Sequence, residues 1–371
     1  TPSIIIIKND FKLSADIVQL VLTYYMVAAG LGQLLFGTLS DRFGRRPILL
    51  AGGLLFVLSS IIATFSPNIS TLLFLRVTQG LGAAACMSMA RVIINDSFNK
   101  TEAAEKLSLM TAIMVIFPLL SLILGGFIAQ TIGWIGTMYV FFIFGLIILN
   151  GSFFLIPETK INNIKSLEFK KIFSSYGSVL SNTKYLIFTF IGSIQVGVFF
   201  SSFGFMPYEF ARLGVTPLEF GFWISFTGIG YFTGNILNRY LAASLGIEKL
   251  IIIGCIFSLS SYFLILVMHI NDFTHPLYIS LPIILFGLGN GFTVANCIIG
   301  GVSTTGSHSG TATGIAGALQ MSSGGIIGTI VISLGGDENF LFCLLFMNFL
   351  CFSALLLSFL NYKNRTQTAV G

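Results

Sequence analysis

GTLSDRFGRRP, Gly37 to Pro47, lies between two long apolar runs. It crowds Asp41, Arg42, Arg45 and Arg46 into a turn too short to be a domain. Charges confined to such a turn mark a loop at the edge of a membrane. Gly37 and Gly44 are expected to let two helix ends approach and the backbone reverse, and the arginines to hold the loop on the cytoplasmic side, where basic residues are retained.

Composition points the same way. Of 371 residues, 55% are hydrophobic and only 9% charged, where soluble chains carry roughly 25% charge. The chain therefore reads as an all-α polytopic membrane protein, with the lipid bilayer as its main surroundings. Its net charge of +5 belongs to loops. No clustered basic and aromatic stripe suggests nucleic acid as a partner. Cys86, Cys255, Cys297, Cys343 and Cys351 sit in apolar runs without paired or metal-ligand spacing, so they read as small core residues, and no metal site or cofactor is expected.

Residues 1–7 form an apolar run that closes at Lys8 and reads as the last two turns of a first, truncated helix. Eleven longer spans follow, at about 16–39, 47–65, 71–94, 103–129, 134–156, 183–207, 218–241, 248–269, 276–300, 309–334 and 338–360, near the roughly 20 residues that cross a bilayer. The polar stretch after the sixth span carries Lys160, Lys165, Lys170, Lys171 and Lys184, and Phe169, Ile172 and Phe173 would suit a helix lying in the interface. The expected organisation is a bundle over 1–156, a cytoplasmic linker over 157–182, a second bundle over 183–362 and a cytoplasmic tail over 363–371. With the linker and the even-numbered loops inside, 14 of the 19 Lys and Arg residues fall on one side. Both termini are then cytoplasmic, in a multi-pass protein of the inner membrane. The outline of the first loop recurs half a chain later, as Gly234, Asn238, Arg239 and Gly246, which argues for two pseudo-symmetric halves with a substrate pocket between them.

Single side chains within the spans carry further expectations. Arg76 lies inside an apolar helix, where a charge costs at least roughly 2.5–3.5 kcal/mol, so it must face protein or water unless it snorkels to the edge. Every acidic residue lies in a loop or at a span end. Glu209 shares one face of the seventh span with Gln195, Phe199, Ser202 and Met206 and is the best carboxylate for carrying protons, against the plainer reading of a solvated acid. Asp96 is placed to meet Arg42 or Arg45, with Arg91 nearby, and Asp41 to meet the start of the eleventh span at Ser307, Ser309 and Thr311. Together these would form a latch, with a static surface cluster as the alternative. Polar and aromatic residues within spans mark the cavity: Tyr24, Tyr25, Gln33, Gln79, Met87, Gln195, Phe199, Met206, Asn235, Asn290, Asn296 and Gln320. Each is as readily a packing or interhelical hydrogen-bonding residue.

The spacing G-x-x-x-D-R-x-G-R-R resembles the signature loop of the major facilitator superfamily, and L-x-x-x-R-x-x-Q-G-x-G-A-A, from Leu72 to Ala84, resembles that superfamily's fourth-helix motif. The resemblance implies a twelve-helix fold and a role for Arg76 in proton coupling or in anchoring a carboxylate. Four stretches, Val18–Gly52, Ala90–Phe98, Phe153–Thr159 and Gly310–Gly328, resemble the bicyclomycin-resistance (Bcr/CflA) type of drug-proton antiporters. In the fifth span Gly125 and Gly126 match the antiporter motif, but Ser121 and Leu122 replace the expected pair before them and the proline is Pro118.

Two classes are carried forward. The first is a secondary transporter exporting small amphiphilic molecules in exchange for protons, expected as a monomer, with a siderophore or metabolite exporter or an uncoupled facilitator as alternatives. The second is a membrane enzyme or sensor. An enzyme would need a nucleophile and base or an acid pair at depth, and the sequence offers none, so no enzymatic activity is expected.

Overall fold

The computed structural model describes residues 3–159 and 169–370, apart from the side chain of Ser307 and some side chains within 100–120, 169–173 and 364–370. The described elements are helical. They are α1 (Ile4–Phe11), α2 (Ala15–Phe43), α3 (Arg45–Ala63), α4 (Ile69–Ser97), α5 (Lys100–Ile132), α6 (Trp134–Leu155), α7 (Phe169–Leu180) and α8 (Thr183–Arg212). There follow α9 (Pro217–Ile224), α10 (Phe226–Leu245), α11 (Ile247–Ile270), α12 (Leu277–Ser280), α13 (Ile283–Ser303), α14 (Ser309–Ser333) and α15 (Phe340–Val370). All eleven expected spans are present. Two are built of two pieces: the eighth breaks at Ser225 into α9 and α10, and the tenth at Leu281 and Pro282 into α12 and α13. Among the described residues, nine helices are long and apolar enough to cross a membrane.

Local chemistry sets the ends. Asn68 and Asn182 cap α4 and α8 by accepting from the N–H groups of Thr71 and Tyr185. Thr216 and Glu219 form a reciprocal capping box at α9, with Pro217 in its first turn. The reversal between α2 and α3 turns on Gly44, at φ 95° and ψ 158°, and that between α10 and α11 on Gly246, at φ 80° and ψ 155°. This region of backbone space is essentially closed to other residues. The sequence repeat is thus a conformational repeat, one copy in each half of the chain.

In a bilayer the backbone must satisfy itself, and helices associate by close packing rather than by hydrophobic exclusion. The small residues serve that packing: a Cβ on Gly82 would collide with the Gly52 carbonyl and the Phe56 backbone where α4 crosses α3. Large apolar side chains point outward instead, Phe154 and Leu155 of α6 being 76% and 80% exposed, as a lipid-facing surface requires.

Two seams join the N-terminal helices to the C-terminal ones. Along the first, α2 lies on α14: Thr23 hydrogen-bonds Thr329 at 2.7 Å and the Gly325 carbonyl at 3.0 Å, and Gly30 abuts Ala318 and Ser322. Along the second, α5 lies on α9, where a Cβ on Gly126 would strike the Pro217 carbonyl and one on Gly221 the Leu122 carbonyl. Phe169, Ile172 and Phe173, the expected interfacial face of the linker, and Pro118 on α5 have side chains outside the described residues, and Lys160 and Lys165 lie outside them altogether. Tyr176 of α7 donates to the Leu34 carbonyl at 3.3 Å, which ties the linker helix under α2.

Candidate functional site: two charged clusters and a buried arginine

Arg45 is the hub of the loop with which the sequence reading began. Its Nε donates to Asp96 at 2.9 Å, and its Nη1 donates to Asp41 and to Ser40 Oγ, both at 2.6 Å. The expected contact between α3 and α4 is therefore made, through Arg45 rather than Arg42. Asp41 faces Arg45 within its own set of helices and not α14, where Thr311 lies 3.5 Å from Ser175 and Thr313 donates back to the Ser309 carbonyl. The arginine one turn away offers a nearer and fully charged partner than a helix end. Gly37 is approached by no other helix, since a Cβ there would meet open space. Arg42 is exposed over the Phe43 ring, and Arg91 is half-buried with no hydrogen bond or ion pair among the described residues.

Glu158 completes the cluster, and the sequence reading missed it. Its carboxylate accepts from the N–H groups of Arg45 at 2.9 Å and Arg46 at 3.2 Å, the unpaired donors that open α3. Arg46 reaches back to the Phe153 carbonyl at 2.8 Å and covers the Phe153 ring. The available signal was an acid directly after a helix-ending proline, on the face where three arginines had been placed.

Arg76 is only 6% exposed, so it does not snorkel. Its Nε donates to the Val21 carbonyl at 3.0 Å, its Nη1 donates to Gln79 Oε1, and its guanidinium carbon stands 4.2 Å from the centre of the Tyr25 ring. Gln79 in turn donates to Ser60 Oγ at 2.7 Å, and Ser60 to the Phe56 carbonyl at 2.6 Å. This chain of neutral acceptors and a ring face solvates the charge, and no carboxylate joins it among the described residues. Beside it opens a cavity of about 620 Å³, walled largely by apolar residues such as Val21, Phe56, Met138 and Phe141.

Glu209 is also 6% exposed, so it is not the solvated acid of the plainer reading. Tyr278 donates to its Oε1 at 2.9 Å, Arg212 to its Oε2 at 3.3 Å, and His269 Nδ1 lies 3.9 Å from Oε1. Its expected neighbours on α8 turn toward the C-terminal helices. Gln195 donates to Cys255 Sγ at 3.5 Å, Ser202 shares a 2.5 Å bond with Tyr262, and Met206 is fully enclosed. Phe199 belongs to a ring cluster with Phe200, Phe203 and Phe286.

The remaining cavity candidates divide in two. Asn296 is bonded to Asn238 at 2.7 Å and Asn290 to the Phe286 carbonyl at 3.2 Å, both buried, and Asn235 donates to the Tyr231 carbonyl of its own helix at 2.8 Å. Tyr24 is 41% exposed, and Gln33 and Met87 are half-buried. Gln320 is buried against Gly192, with its amide nitrogen unpartnered.

Comparison with known proteins places this architecture. Among solved structures, a peptide transporter bound to alafosfalin superposes with a TM-score of 0.76 at 14% identity, covering 96% of this chain and 87% of that one. The E. coli xylose transporter XylE superposes with a TM-score of 0.69 at 14% identity, over 92% and 86%. By sequence, the bicyclomycin resistance protein homolog of Haemophilus influenzae is 27% identical over 91% of this chain and 85% of that protein. The chloramphenicol resistance protein of Pseudomonas aeruginosa is 27% identical over 90% and 79%. The model of the Major Facilitator Superfamily matches residues 1–329. With its fold and its sequence in agreement, the chain belongs to the major facilitator superfamily of membrane transporters.

Proposed function

We propose that this transporter exports small amphiphilic compounds, drugs or toxic metabolites, across the inner membrane by alternating access, in exchange for protons. The reading rests on the relatives named for resistance to bicyclomycin and chloramphenicol and on one observation, the buried Arg76 held among Tyr25, Gln79 and an apolar cavity. A fixed cation amid rings and aliphatic walls suits ligands that carry both apolar bulk and a polar handle. The helices of 1–156 and 183–362 would rock as two bodies joined by 157–182, both termini lying in the cytoplasm, and the protein would act as a monomer without a cofactor. Arg76 and Glu209 are the residues assigned to coupling, and the Arg45 cluster is the latch that stiffens the cytoplasmic rim.

One observation favours a second reading, an uncoupled facilitator: Arg76 has no carboxylate partner among the described residues. Inverted vesicles loaded by an imposed pH gradient separate the two. Antiport predicts that chloramphenicol or bicyclomycin dissipates the gradient, and a facilitator predicts drug flux with the gradient untouched. A response to siderophores alone would move the substrate class.

A further inference from the structure

At the end of the molecule opposite the Gly37–Pro47 loop, one polar chain crosses from the first helix to the C-terminal set. Lys8 of α1 donates to Asp337 Oδ2 at 3.2 Å, between residues 329 positions apart, and its ammonium lies 5.1 Å from the centre of the Tyr208 ring. Asp337 sits in the α14–α15 turn, and its backbone carbonyl accepts from Arg212 Nη2 at 2.6 Å. The other arm of the same guanidinium holds Glu209, whose second oxygen accepts from Tyr278, with His269 Nδ1 3.5 Å from the Tyr278 hydroxyl.

We propose that the Lys8–Asp337 pair is the gate on this face, and that Glu209 with His269 beside it is a proton-binding site that controls the gate through Arg212. The proposal rests on the alternating-access reading, extending the coupling role of Glu209 to a named mechanical output. The charge arithmetic gives its sign. Lys8, Asp337, Arg212 and Glu209 sum to zero when His269 is neutral, Asp16 adds one negative charge on the Lys8 side, and Tyr278, Tyr208 and Cys343, also packed against the site, are neutral. A proton added to Glu209 or to His269 therefore raises the charge around Arg212 by one. It either removes the carboxylate that Arg212 holds or sets a second cation beside it. Arg212, the more exposed partner of the Glu209 pair, is then released, and with it the Asp337 turn that presents Lys8 with its counter-ion. Acid on this side opens this side.

Hydrogen exchange of the full chain in lipid nanodiscs reads the gate without any transported ligand. Lys8→Ala and Asp337→Asn are expected to speed exchange of the amides of 15–25 and 325–339 by roughly fivefold, and the charge-swapped pair Lys8→Asp with Asp337→Lys to restore it, which misfolding would not allow. In the unsubstituted protein the same segments are expected to loosen on acidification, after correction for intrinsic exchange, and to loosen less in His269→Gln. Glu209→Gln should be loose throughout. Unchanged exchange in Lys8→Ala and Asp337→Asn, or a wild-type pH response in Glu209→Gln, would overturn the proposal. A normal gate response in a protein that moves no drug would instead count against the substrate reading alone.

Discussion

Arg45 and Asp96 meet at 2.9 Å across the ends of α3 and α4, with the arginine side chain only 13% exposed. The pair, with Asp41 on the second arm of the guanidinium, fastens three helices at one point. Asp96→Ala is expected to destabilise the protein by about 1–3 kcal/mol, because it strips a partner from a shielded charge, while Asp96→Asn, which keeps an acceptor oxygen, costs less. Thermal unfolding in detergent orders the three proteins.

Glu158→Gln removes a full negative charge from the start of α3. It should cost about 0.5–2 kcal/mol, the range of a helix cap with a favourable dipole term. The loss should shrink in high salt, since the Arg45 and Arg46 amides lie at an exposed edge. Denaturation at two ionic strengths measures it.

Gly44→Ala and Gly246→Ala should each cost about 1–3 kcal/mol, because both backbones occupy a region that a Cβ closes. Gly37→Ala, with open space at its Cβ, should be nearly silent and even favoured by helix propensity. Melting temperatures of the three variants distinguish a conformational need for glycine from a packing one.

Arg76→Lys is expected to lose most drug-driven proton flux, more than about tenfold, although the charge is kept. An ammonium cannot serve the Val21 carbonyl and Gln79 while lying flat on the Tyr25 ring. Vesicle assays normalised to protein level test this, and a lysine variant of full activity would show that charge alone suffices.

At the start of α9, Glu219 accepts from the Thr216 N–H and hydroxyl, both at 2.9 Å. Glu219→Gln weakens this reciprocal cap. Exchange of the first α9 amides should therefore quicken in Glu219→Gln relative to the natural protein.

Hydropathy made the eleven spans legible because a membrane helix announces its length in composition. The Gly44 and Gly246 reversals were legible too, as was the meeting of Arg45 and Asp96. Which way a helix faces was not. In lipid both the packed and the exposed faces are apolar, so Gln195 and Met206 looked like cavity residues while α8 turns them toward α11 and its neighbours. Glu158 and the Lys8–Asp337 pair were hidden for another reason: each joins residues more than 100 positions apart, a distance no local period reports. The Ser225 break was masked by the continuous hydropathy of Pro217–Leu245.

The seam between α5 and α9 is made of main chain against main chain, at Gly126 with Pro217 and Gly221 with Leu122. Surfaces without side chains have no rotamers to yield and little to interlock, so they resist compression yet permit tilting. The rocking proposed above would roll over this bare stretch as over a fulcrum, and a single added methyl group there would jam it.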